Sequence, residues 1–307
     1  MEKKTFTILA TVLAIAILAG SIGTYAFLQA GQQPNEEKIG VIVTIPPQAE
    51  FVEEVGGEKV QITVMVPQGA NPHTYEPSYS KMEALSKAEI YAAVGSGIEF
   101  ELAWMDKLTA INDNMLLVDC SKEIELIPIT QDNENTFEVN GEQGQGAMDP
   151  HIWLSPRNAK IMVENIYNGL VQIDPVNREY YAQNKDNYLK SLDALDAEIG
   201  NSLAEIENKK LMFYHPAWGY FANDYNLKSI AVEEEGKEPT AKGIISLIDE
   251  AEKYNIKVIF ASPQFNVKSA EVISNEIDGR IVFVDPLAKD YVSNLRVVAG
   301  EITKGLE

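Results

Sequence analysis

"VNREYYAQNKDNYLKSLDALDAEIGNSLAEIEN", Val176–Asn208, decides the fold. It contains no proline, and Tyr188, Leu192, Leu195, Ile199, Leu203 and Ile206 recur at steps of three and four. That spacing puts them on one face of an α-helix. Asp174-Pro175 supplies the start signal, a capping acid followed by a first-turn proline. Over the 33 residues the helix would run about 50 Å, longer than a small domain is wide. A single apolar stripe on so long a helix predicts a strut joining two bodies.

On both sides of the strut, short apolar runs alternate with helical patterns. Before it, Ile39–Ile45, Val60–Val66 and Ile90–Gly95 read as strands. Helices are expected over Pro46–Gly57, around Tyr79–Ala88, and from the Ser155-Pro156 start through Ile161, Ile166 and Leu170. After it, strand-like runs fall at Leu211–Tyr214, Lys228–Val232, Lys257–Ala261 and Arg280–Val284. Helices around Pro216–Asn226, Ala241–Tyr254 and Val267–Ile277 separate them. The alternation predicts an α/β protein of two lobes, each a mainly parallel sheet flanked by helices, joined by one long linking helix. The expected division is 1–37 as signal or anchor segment and linker, 38–174 as N-terminal lobe, 175–208 as linking helix, and 209–307 as C-terminal lobe. Gln131–Asp149, poor in apolar residues and rich in Gly, Asn and Glu, is expected to be an exposed, mobile loop.

Composition narrows the function. The 25 basic against 46 acidic residues give a formal net charge of −21, which repels phosphate backbones and argues against nucleic-acid binding. Lys3 and Lys4 precede a stretch from Thr5 to Pro34 that carries no charge. The lysine pair stays on the cytoplasmic side, so the remainder is expected on the outer face of the membrane. The segment from about residue 6 to 30 then either tethers the chain or is cleaved on export, and its length favours a tether. "ILAGS", Ile17–Ser21, resembles a bacterial lipobox with Ser21 where the lipid-bearing cysteine would stand, which excludes lipid attachment there. Cys120, the only cysteine, can form no intramolecular disulfide and is expected to be a small buried side chain.

Only three histidines occur in 307 residues, and each lies beside a proline in a loop: "VPQGANPHTYEP" holds His73, "MDPHIWLSP" His151 and "LMFYHPAWGY" His215. His73 and His215 follow strands, as does Asp285 in "FVDPL". In open α/β sheets ligands bind beyond the carboxyl ends of the strands, so these four side chains could converge between the lobes. Three imidazoles and one carboxylate would satisfy a tetrahedral Zn²⁺. Each residue also has an ordinary role open to it: a loop histidine is often a surface group, and Asp285 before Pro286 suits a turn. Trp153, Tyr214, Trp218 and Tyr220 suit a cleft wall or a packed core equally well, and "VEEEG", Val232–Gly236, reads as a solvated strand end.

These motifs, with "FYHPAWGYFANDYNL" and "EPTAKGIISLIDEAEKYNIKVIFASPQF", resemble in order and spacing the zinc/manganese substrate-binding proteins of metal ABC transporters, the ZnuA/TroA-like family. The resemblance spans residues 38–307. It implies two α/β lobes bridged by a long helix, an ion held between them by His73, His151, His215 and Asp285, and no enzymatic activity. It also implies a monomer that delivers its metal to a permease in the same membrane. Histidine at position 215 points to Zn²⁺ as cargo, because members with a carboxylate at that third ligand position look like manganese binders and imidazole suits zinc. The stretch 131–149 lacks the histidines that many zinc members carry there. Three neutral imidazoles predict affinity that falls below about pH 6. Manganese or iron(II) cargo, a three-histidine metallohydrolase and a metal-free adhesin on the same fold are the competing expectations.

Overall fold

The computed structural model describes residues 38–129, 148–206, 209–233 and 237–306. The proposed membrane segment, Ser21 and nearly all of the acidic loop before Asp149 lie outside the described residues. Among the described residues no helix is long and apolar enough to cross a membrane.

The N-terminal lobe runs β1 (Ile39–Val43), α1 (Pro46–Gly56), β2 (Val60–Val64), α2 (Tyr79–Leu85), β3 (Ile90–Ala93), α3 (Glu99–Ile111) and β4 (Leu116–Asp119). It continues into α4 (Pro156–Ile173), where Ser155 Oγ accepts from Asn158 N as the expected N-cap. The strut follows as α5 (Arg178–Leu203). The C-terminal lobe repeats the alternation: β5 (Lys210–Phe213), α6 (Gly219–Asp224), β6 (Lys228–Ala231), α7 (Ala241–Lys253), β7 (Val258–Ala261), α8 (Lys268–Glu276), β8 (Arg280–Phe283) and α9 (Tyr291–Leu306). Both four-stranded sheets are parallel throughout, in the orders β2-β1-β3-β4 and β6-β5-β7-β8. Each chain reversal therefore opens a crevice at the carboxyl edge beside the first strand of its lobe.

The strands read as continuous apolar runs because both faces are covered. Val41 and Val43 face the central core, while Ile42 between them packs with Tyr91, Phe100 and Leu108 on the outer side. In β5, Leu211 and Phe213 join the central core and Met212 packs outward with Ile230 and Ile259. The stripe of α5 lies against both lobes: Tyr188, Leu192, Leu195, Ile199 and Leu203 are buried in a cluster shared with Phe51, Phe213 and Leu295.

The strut is shorter than its proline-free stretch. Pro175–Asn177 forms a 3₁₀ turn, and Asp174 Oδ2 accepts from Asn177 Nδ2 at 2.6 Å and from Tyr181 OH at 2.8 Å. The α-helix takes 26 residues, about 39 Å. Ile206 lies beyond its last turn and packs at the margin of the core.

Candidate metal site

The carboxyl edges of the two sheets carry the loops that hold the three histidines. Asn71 Oδ1 accepts from His73 N at 2.9 Å in the loop beyond β2, closing an Asx turn that aims the imidazole. His151 precedes the 3₁₀ turn Ile152–Leu154 that leads into α4. His215 follows β5 by two residues and is 6 % exposed. Together they place one ring nitrogen each within 4.8 Å of one another.

Each imidazole is gripped at Nδ1 by a carboxylate. His73 Nδ1 donates to Glu99 Oε1 at 3.0 Å, His151 Nδ1 to Asp149 Oδ1 at 2.7 Å, and His215 Nδ1 to Glu233 Oε2 at 3.2 Å. With the proton at Nδ1, the Nε2 lone pair is left for another partner. The Nε2 atoms of His151 and His215 face each other at 3.3 Å. Two unprotonated nitrogens at that distance repel unless a proton or a metal cation lies between them. Two nitrogens on a tetrahedral Zn²⁺, with bonds of about 2.0–2.1 Å, stand about 3.3 Å apart.

The supporting loops are themselves fixed. Gly95 has φ +81, and a Cβ there would lie 1.9 Å from Asp119 Oδ1, so the turn after β3 requires glycine. Buried Glu101 accepts from Val94 N at 2.6 Å and Gly95 N at 2.9 Å, and Ser96 Oγ donates to Pro150 O at 2.5 Å. The turn leading to Glu99 is thereby joined to the loop of His151. Gly219 lets α6 approach the site, because a Cβ there would meet Asp149 Oδ2 at 2.3 Å.

Asp285 is not among the residues whose ligand atoms converge within 4.8 Å. Its Oδ1 accepts from Gln264 Nε2 at 2.6 Å and from Leu287 N at 2.9 Å. Its loop is tied across the lobes by Trp153 Nε1, which donates to Pro286 O at 2.8 Å. Phe265 covers the site, stacked on His215 at 4.4 Å between ring centroids and tilted against His73 at 6.0 Å.

Two expectations are corrected here, and two others are resolved. Glu233 is 3 % exposed and bonded to His215, so the start of "VEEEG" is buried and not a solvated strand end. Asp149, expected at the edge of an exposed loop, is 1 % exposed because His151 and Gly219 close over it. Trp153 lies 5.3 Å from His151 between ring centroids, whereas Trp218 stacks on Phe213 in the core. Cys120 is buried as expected, and burial pushes its thiol pKa up.

The electrostatics favour neutral imidazole at position 215. Burial lowers the His215 pKa, and the bond to Glu233 only partly opposes it. For Glu99, burial acts to raise the pKa, but the bond and charge of His73 outweigh it and the net direction is down. The unfolded chain protonates His215 near its ordinary value of 6.5, whereas the folded chain resists until lower pH. The metal-free protein should thus lose stability as pH falls from 6.5 through the depressed folded value, with no contribution from this group above 6.5. Melting points of the metal-free protein between pH 7.5 and about 5 should decline, and less so in His215→Asn. Equal declines in both proteins would contradict this assignment.

The family described as zinc-uptake complex component A, periplasmic (ZnuA), matches residues 41–305. The chain is similar to the high-affinity zinc uptake system protein ZnuA of Bacillus subtilis (strain 168), at 27 % identity over 82 % of this chain and 79 % of that protein. A crystal structure of ZnuA superposes with a TM-score of 0.82 at 39 % identity, covering 88 % of this chain and 100 % of that one. A zinc-bound deletion mutant of ZnuA gives 0.81 at the same identity, covering 88 % and 99 %. Shared topology, matched length and identity at this level make one conclusion plain: the chain belongs to the ZnuA family of zinc-uptake components.

Proposed function

We propose that this protein is the extracytoplasmic solute-binding component of an ABC importer. It captures Zn²⁺ between its lobes through His73, His151, His215 and Asp285 and delivers the ion to a permease in the same membrane. The observation that carries this is the convergence of three imidazoles, each held at Nδ1 by a carboxylate, with His151 and His215 presenting Nε2 atoms at a tetrahedral spacing. Family membership supports uptake as the purpose. The ion is cargo, and the four side chains supply a closed ligand set without the open position that hydrolysis needs.

The same proposal assigns residues 38–174 and 209–307 to the two lobes and 175–208 to the link between them. The protein acts as a monomer at the outer face of the cytoplasmic membrane, tethered through about residues 6–30 or released by cleavage, and catalyses no reaction. The basic-poor, acidic surface raises the local concentration of cations without contributing selectivity.

Titration of metal-stripped protein with Zn²⁺ against a competing chelator tests this. Tight one-to-one binding is expected, weakened by about tenfold or more in Asp285→Ala. Binding no tighter than about micromolar in the parent protein would refute zinc capture.

A further inference from the structure

We propose that Gln264 is a specificity-determining positioning residue: by occupying one oxygen of Asp285 it keeps the bound ion four-coordinate and so favours zinc over manganese. This rests on Asp285 serving as the fourth ligand, as proposed above.

An ionised carboxylate offers four lone-pair positions, two on each oxygen. Gln264 Nε2 and Leu287 N both donate to Oδ1, at 2.6 and 2.9 Å, and fill both of its positions. Among the described residues only Oδ2 keeps free lone pairs, so Asp285 can give a metal one bond. With three imidazole nitrogens that makes four ligands, the number Zn²⁺ takes at a closed site. Mn²⁺ prefers oxygen-rich, six-coordinate surroundings, which a carboxylate donating both oxygens would approach.

Gln264 is not explained by stability. Among the described residues its Oε1 is buried with no hydrogen-bond donor. A buried amide with one end unpaired is a poor choice for packing, since an apolar side chain of similar shape would avoid the desolvation. What the amide does provide is the bond to Asp285. The neighbouring Phe265 stacks on His215, so the turn after β7 touches both the carboxylate and one imidazole of the site.

Gln264→Met keeps the shape and removes the donor, freeing one position on Oδ1. Zn²⁺ and Mn²⁺ affinities are measured by chelator competition on the parent protein, Gln264→Met, Gln264→Glu and Asp285→Ala, with metal-free melting points as a folding control. The Zn²⁺/Mn²⁺ affinity ratio should fall by about tenfold in Gln264→Met. X-ray absorption of its Mn²⁺ form should count one more oxygen than in the parent. Gln264→Glu, which places an acceptor where the donor stood, should shift the ratio in the same direction. An unchanged ratio in both variants, with Asp285→Ala still weakening Zn²⁺, would overturn the role of Gln264 and leave Asp285 a ligand. An Asp285→Ala protein that binds Zn²⁺ like the parent would overturn both.

Discussion

Replacing His151 by Ala should lower Zn²⁺ affinity by roughly two to three orders of magnitude, because a closed zinc site gathers about 10–16 kcal/mol over four ligands. The fold should survive the change. Asp149 Oδ1 still accepts from the backbone N of residue 151 at 2.9 Å, so truncating the ring leaves no carboxylate without a donor. The melting point of metal-free His151→Ala should therefore differ from the parent far less than that of the zinc-loaded protein does. Glu233→Gln provides the graded comparison. It leaves the ligand in place and weakens only its orientation, so the loss should be about 10–100-fold. Chelator competition and paired melting curves check the order. Parent-like affinity in His151→Ala would rule out the three-imidazole site.

How much of this was legible in the sequence depends on the range of the forces involved. The strut was, because Tyr188, Leu192, Leu195, Ile199 and Leu203 follow a local period and all five are buried. Seven of the eight strands were read as apolar runs: six overrun an end by one or two residues, and the seventh, Leu211–Tyr214, starts and ends one residue late. The eighth, Leu116–Asp119, is a four-residue edge strand with Leu117 46 % exposed, and it carries neither alternation nor a continuous buried run. α3 was missed because its faces contradict its letters: Glu101 is buried while Leu102 is 75 % exposed. α9, by contrast, carries a readable stripe of Tyr291, Leu295, Val298, Ala299 and Ile302, although it is not among the helices expected above.

The histidines were legible because they are rare and share one local setting. Their carboxylate partners were not. Among 46 acidic residues, nothing local separates Glu99, Asp149 and Glu233 from solvated neighbours. Glu233 becomes distinctive only once β5 and β6 pair in register and bring it to His215, 18 positions earlier in the chain. Gln264 is equally silent in sequence, since its partner Asp285 is the second residue beyond the last paired position of a different strand. A ligand type can be guessed from its chemistry, but an orienting group is defined by what it touches.

Glu50 shows how such a contact can set the behaviour of the whole molecule. It sits on α1 in the N-terminal lobe, yet its Oε2 accepts from Tyr291 N at 2.5 Å and its Oε1 from Val292 N at 3.3 Å, capping the start of α9 in the other lobe. Oε1 also accepts from Tyr188 OH on the strut at 2.6 Å. Burial raises the Glu50 pKa, and these three bonds oppose that rise. Lys289 and Glu53 pair at 2.7 Å beside them. One carboxylate thus ties both lobes to the helix that joins them. Glu50→Ala should leave two helix N–H groups and a buried phenol without their acceptor, at a cost of about 2–4 kcal/mol. For a body of this size that lowers the melting point by about 5–10 °C. The same clamp predicts little lobe motion: metal-free and zinc-loaded scattering profiles of the parent should superpose, while metal-free Glu50→Ala should be more extended and compact on zinc addition. A strong compaction of the parent itself would mean that the contacts of Glu50 break in the working cycle. Parent-like melting of Glu50→Ala would mean that the aromatic packing of Phe51, Tyr188 and Tyr291 holds the lobes without it.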